Sequence, residues 1–123
     1  MPYAIVREIS ASIASCELSF VSREPIDLPL ARAQHAAYQR ALEALGCRLI
    51  ALPAEDALPD AVFVEDVALV LDEVALMTRP GAASRRAEGR AVASVLRQHR
   101  PLLAMEAPGT LDGGDVMRVG KRI

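Results

Sequence analysis

Two short stretches limit how this chain can fold more than any others. Glu65-Asp66-Val67-Ala68-Leu69-Val70 and Gly114-Asp115-Val116-Met117-Arg118-Val119 align at a separation of 49 residues, the distance from Asp66 to Asp115, and the same shift sets Pro59 against Pro108. That period is too long for one hairpin and suits a supersecondary unit that buries its apolar face against a copy of itself. Helix, buried strand, acidic loop and hairpin occur twice in this order. The chain therefore reads as an α/β fold of successive ββαβ units, with equivalent loops gathered at one end of a shared axis. Such an arrangement brings Asp60, Glu65 and Asp66 near Asp112.

The individual elements support this order. Tyr3 to Arg7 is short, β-branched and apolar, a first strand, and Glu8 to Ile26 follows without helical period. Long loops in small domains are often lids or binding loops, so Ser15-Cys16-Glu17-Leu18-Ser19-Phe20 is a lid candidate, although a loop merely packed on the core explains it equally well. Asp27 before Leu28-Pro29 is an N-cap with a first-turn proline. Leu30, Ala33, Ala37, Tyr38, Ala41 and Leu45 then recur at helical spacing until Gly46, which predicts a helix with that face toward the core. His35, on its flank, reads as a packed residue. Cys47 to Leu52, closed by Pro53, predicts a buried strand. Val67 to Leu71 and Val74 to Thr78 flank Asp72-Glu73, which spells an antiparallel hairpin. Ser84 is placed to cap a second helix from Arg85 to about His99, with Ala91, Val92, Val95 and Leu96 inward and Arg86, Arg90, Arg97 and Arg100 wet. Leu102 to Met105 reads as a buried strand and Asp115 to Val119 as a further one.

Composition excludes some functions. At 123 residues, 52% hydrophobic and 24% charged, the chain is long enough to bury a core. A formal net charge of −2, no Trp and 3% aromatics give neither the basic field nor the stacking surface that nucleic acid binding requires. No apolar run is long enough to span a bilayer and no leader pattern opens the chain, so the expectation is a cytoplasmic protein without a membrane partner. The two cysteines, Cys16 and Cys47, lack the spacing of a metal site or a disulfide framework.

The chemistry concentrates in Pro59-Asp60-Ala61-Val62-Phe63-Val64-Glu65-Asp66, which sets three carboxylates within seven residues at the mouth of an apolar run. Carboxylates beside a core are costly to desolvate unless a cation or hydrogen-bond donors meet them. A guanidinium is the partner that suits them. Alone, these residues also fit a plainer reading, with Asp60 capping a turn and Glu65 and Asp66 as solvated edge charges.

Pro59 to Asp66 (PDAVFVED), Thr78 to Arg86 (TRPGAASRR) and Ala107 to Val116 (APGTLDGGDV) closely resemble, in order, the dimethylarginine dimethylaminohydrolases of the pentein, or amidinotransferase, superfamily. The similarity runs from Tyr3 to Ile123. It implies a five-bladed α/β-propeller of ββαβ units. It also implies attack by a Cys thiolate on the guanidinium carbon of an N-methylated arginine, with loss of methylamine or dimethylamine and release of citrulline after water attack. Carried over by motif, Asp60 meets the substrate's α-amino end, Arg85 clamps its α-carboxylate, and Glu65 and Asp66 stand at the guanidinium. Asp112 takes the place of the acidic partner of the catalytic His, and Leu18 that of a lid residue. No cofactor or metal is implied. The family's His and nucleophilic Cys lie in its second half, and His35, His99, Cys16 and Cys47 do not match those motifs. Since Ile123 falls opposite Val74, mid-hairpin in the repeat, the expectation is an N-terminal portion of a pentein catalytic domain, inert by itself.

The residue types fit that chemistry. A guanidinium is a planar fork of donors that keeps its charge at neutral pH, so selecting it demands carboxylates fixed in plane. Three other readings remain open on sequence: a guanidinium-binding module without turnover, an arginine deiminase-like pentein, and a metal-dependent hydrolase using Asp60, Glu65, Asp66, Asp112 and Asp115 as oxygen ligands. No feature decides whether the chain assembles with a second copy.

Overall fold

Asp27 begins the longest element as its sequence requires. Its Oδ1 accepts the backbone N–H of Leu30 at 2.9 Å, and helix α1 runs from Leu28 to Ala44 with proline in its first turn. Gly46, at φ +89°, lets the chain leave the helix in the left-handed region. In this computed structural model, residues 1–123 are described, and they form two compact units, 1–62 and 63–123.

The first unit is a βαβ arrangement. Strand β1 (Tyr3–Arg7) pairs in parallel with β2 (Arg48–Leu52), Ile5 opposite Ile50, and α1 packs on β2. At the end of β1, the buried Arg7 donates from Nε to the carbonyl of Pro53 at 3.1 Å and meets Glu55 at 3.4 Å. The loop that follows is pinned at its start, since Asp56 accepts the amide of Ala11 at 2.9 Å and Ser12 Oγ donates to the carbonyl of Asp56 at 2.7 Å. Two expectations fail here. The covered side of α1 carries Leu28, Ala31, His35 and Leu42, whereas Leu30, Ala33, Ala37, Tyr38, Ala41 and Leu45 are exposed. The helix has two apolar faces, and spacing alone does not distinguish them. Strand β2 is half-buried, with Arg48 and Ala51 open to solvent.

The second unit contains one complete ββαβ. Strands β3 (Ala68–Val70) and β4 (Ala75–Met77) form the expected hairpin, closed by the Leu71 amide on the carbonyl of Val74 at 2.8 Å. Helix α2 (Gly89–Leu96) crosses to β5 (Leu102–Ala104), which pairs in parallel with β4. The core lies under Val67, Ala75, Val92 and Leu96. The predicted helix from Arg85 is corrected: residues Ala83–Arg85 form a 3-10 turn, α2 starts at Gly89, and Ser84 does not cap it. The early residues are drawn into the ion cluster described below. Arg100 is half-buried rather than wet, donating to the carbonyl of Leu71 at 3.1 Å. Leu103 and Ala104 of β5 are exposed, so that strand is not a buried one. Nor is Asp115 to Val119 a strand. Gly113–Asp115 is a 3-10 turn, and Val119 forms only an isolated bridge with Arg122. Strand β3 exists because β4 supplies its ladder, while residues 117–119 have no such neighbour.

No helix is long and apolar enough to cross a membrane. Replacing Asp27 by Ala removes the cap of α1 and is expected to lower stability by about 1 kcal/mol, whereas Asn, which can cap in the same way, leaves it nearly unchanged. Urea unfolding of the two variants measures the difference.

Candidate functional site: a carboxylate turn braced by arginine and glycine

The acidic stretch ends in a 3-10 turn, Val64–Asp66, just ahead of the buried Val67. The turn is fixed to β4 from behind. Thr78 Oγ1 donates to the carbonyl of Asp66 at 2.7 Å, and the Thr78 amide to that of Val67 at 3.0 Å. With its backbone held on both sides, Asp66 projects a carboxylate whose two oxygens have separate donors. Oδ1 accepts the amide of Gly114 at 3.0 Å, and Oδ2 accepts Arg85 Nη1 at 2.9 Å.

Gly114 belongs to the 3-10 turn Gly113–Asp115, and this turn packs on Val64–Asp66. The two turns are 49 residues apart in sequence, as Val64 is from Gly113, so the acidic turn of the repeat recurs in the structure, while the hairpin that follows its first copy does not. Their approach explains the glycine pair. A Cβ on Gly113 would lie 2.2 Å from the carbonyl oxygen of Glu65, and one on Gly114 would lie 2.4 Å from Asp66 Oδ1. Glu65 is exposed, its Cγ 4.0 Å from where the Gly114 Cβ would be. Asp112, half-buried, precedes the glycines and accepts the amide of Gly81 at 3.4 Å; the turn is further tied by the Leu111 amide on the carbonyl of Arg79 at 2.8 Å. Glu65, Asp66 and Asp112 therefore gather around one pair of packed turns.

Arg85 completes the cluster and brings in a residue the sequence reading missed. Its Nε and Nη2 donate to the two oxygens of Glu88, each at 2.9 Å, while Nη1 serves Asp66. Burial alone would lower the pKa of Arg85, but the hydrogen bonds and charges of Glu88 and Asp66 outweigh it and hold the guanidinium above its ordinary value. Glu88 is 2% exposed, against 11% for the Arg85 side chain and 20% for that of Asp66. An Arg-x-x-Glu pair ahead of a helix looks like an ordinary surface pair. Gly89, whose added Cβ would lie 3.3 Å from Met77 Cε, was the one hint that this segment sits close against β4.

The remaining candidates belong to the first unit. Asp60 is buried, and its Oδ2 accepts the amide of Glu17 at 3.0 Å, so it anchors the loop that carries Leu18. Arg23 ties that loop to itself through the carbonyls of Ala14 and Cys16. Leu18 is half-exposed and Phe20 is 99% exposed. A cleft of about 660 Å³ runs along the loop, lined by residues that include Cys16, Leu18, Val21, Arg23 and Ile26. It is built from the loop itself. His35 is bonded to Gln39 at 3.0 Å and lies 3.7 Å from Glu8, a packed side chain. No group of three or more His, Cys, Asp or Glu residues is arranged to hold a metal ion.

Parallel strands joined by helices, one hairpin and repeated acidic turns define the class: an α/β chain of the pentein type. No protein-family model matches the chain. It is 45% identical over 121 residues, 98% of its own length, to the N(G),N(G)-dimethylarginine dimethylaminohydrolase of Streptomyces coelicolor, and 42% identical over 96 residues to that of Pseudomonas aeruginosa. Among solved structures it superposes on the Pseudomonas aeruginosa enzyme, a mutant complexed with citrulline, with a TM-score of 0.91 at 36% identity, covering 97% of this chain and 47% of that one. The N-terminal domain of the cyanobacterial arginine dihydrolase ArgZ matches in fold, with a TM-score of 0.73 at 14% identity. The resemblance read from the motifs stands: over nearly its whole length the chain is similar to about half of a dimethylarginine dimethylaminohydrolase. It spans about half the length of the curated relatives it matches, 47% of the Streptomyces protein.

Gly113→Ala tests the contact between the turns. Its methyl cannot be accommodated without moving a backbone carbonyl, so a loss of about 1–3 kcal/mol is expected, together with faster hydrogen exchange at the Gly114 amide. Wild-type stability and protection in that variant would contradict the geometry.

Proposed function

We propose that this chain supplies the guanidinium-recognition part of an enzyme that hydrolyses N-methylated arginine to citrulline and methylamine or dimethylamine. The observation that carries the reading is the Asp66 carboxylate, one oxygen held by the Gly114 amide and the other by Arg85, beside Glu65 and Asp112. Holding both oxygens fixes the plane in which further lone pairs are offered, and a planar cation is the ligand that gains most from this. In this reading Asp66 and Glu65 orient the substrate guanidinium. Asp112 is the acidic partner of a catalytic His, and Arg85 meets the α-carboxylate while also bracing Asp66. The roles of Asp60 at the amino end and of Leu18 in a lid rest on the resemblance alone.

The step follows from that orientation. A cysteine thiolate adds to the guanidinium carbon, the C–N bond to the methylated nitrogen breaks as that nitrogen takes a proton, and water then displaces the thiol to leave the citrulline ureido group. Bound positive charge stabilises the thiolate that attacks it. Nucleophile and base are assigned to residues other than Cys16, Cys47, His35 and His99.

In the full-length protein, Asp66→Ala and Asp112→Ala are expected to reduce citrulline formation by tens to thousands of fold, the range for truncating one partner of a desolvated charge pair. Glu55→Ala changes it little, because Glu55 is 49% exposed and is not one of the carboxylates gathered around the paired turns. Equal, mild effects from all three would overturn the assignment. Activity should also survive EDTA; loss that is restored by a divalent ion would favour metal-dependent hydrolysis instead.

A further inference from the structure

We propose that Glu88 is a positioning residue that sets the charge with which this site selects a cation: by taking up the charge of Arg85, it leaves Asp66 as a carboxylate with net negative character. The inference rests on the guanidinium-binding reading above and concerns a residue that reading does not use.

Arg85 is shared unequally between Glu88 and Asp66. Glu88 meets it with both oxygens, at 2.9 Å each, in the bidentate geometry that makes Arg–carboxylate pairs strong, whereas Asp66 meets it with one. Asp66, Arg85 and Glu88 together carry one net negative charge. Glu88 is almost wholly buried, and Asp66 is the more exposed of the two carboxylates, so the uncompensated charge is presented at Asp66. Without Glu88, Arg85 and Asp66 would form a neutral pair. A cation arriving at Asp66 would then meet a pair with no net charge. In a partly buried setting, loss of one charge at this range changes cation affinity on the order of tenfold.

A structural role for Glu88 would weaken every ligand alike, whereas a charge-setting role separates charged from neutral ones. The test compares KM for Nω-methyl-L-arginine with the inhibition constant of L-citrulline, its neutral isostere at the reacting group, in the full-length protein. Glu88→Gln is expected to raise KM for the cation about tenfold while leaving citrulline inhibition within about twofold. The double variant Arg85→Gln/Glu88→Gln, which restores one net negative charge, is expected to recover the wild-type ratio of the two constants, whatever it does to both. If Glu88→Gln does not fold, Arg85→Gln gives the opposite sign, a raised preference for the cation. An unchanged ratio in Glu88→Gln, or a double variant that stays as unselective as Glu88→Gln, overturns the inference and leaves the guanidinium reading intact. A wild-type protein that neither turns over nor binds the methylated arginine overturns both.

Discussion

The carboxylate of Asp66 is the point on which the second unit is organised. One oxygen belongs to the amide of Gly114 and the other to Arg85, and the backbone behind it is fixed by Thr78. Through these bonds a single side chain connects the first acidic turn, its copy 49 residues later, and the segment leading into α2. The hairpin and crossover form the scaffold that makes those connections possible. Strand β4 carries Thr78 just past its end, and α2 begins where Arg85 and Glu88 have closed around each other.

Such a cluster is a poor device for stability alone. Desolvating an ion pair costs several kcal/mol per charge before attraction and hydrogen bonds offset it, and apolar residues of similar size often do as well. The glycine pair has a similar character. Gly113 and Gly114 give up side chains so that two turns can meet at backbone distance, which adds chain entropy to the cost of folding. Features that cost stability and hold a carboxylate in a chosen plane are those expected of a recognition site. The similarity to dimethylarginine dimethylaminohydrolases agrees with this, and it covers the residues on which the physical argument depends.

Much of the arrangement was legible in the sequence because local chemistry and fold agree there. Asp27 and Gly46 delimit α1, Asp72-Glu73 closes the hairpin, and the 49-residue shift places two acidic turns in equivalent positions. What was not legible depended on partners distant in sequence. The apolar face of α1 was misjudged because the helix has two, and only β2 determines which is covered. The residues after Asp115 have strand composition, yet a strand needs a ladder, and Val119 bonds only to Arg122. Glu88 was not singled out, because the helix was read as beginning too early; it is buried around Arg85, next to Gly89, which lies close against Met77 and Val67. Local propensity does not carry that information.

The most direct measurement is an amide chemical-shift titration of the full-length protein with L-arginine. Gly114 donates to Asp66 and Gly81 to Asp112, so their N–H resonances report on the two carboxylates without any mutation. If these carboxylates receive a guanidinium together, both resonances move along one saturation curve, and an equal concentration of citrulline moves them far less. Arginine that binds elsewhere and leaves the Gly114 resonance in place would contradict the account.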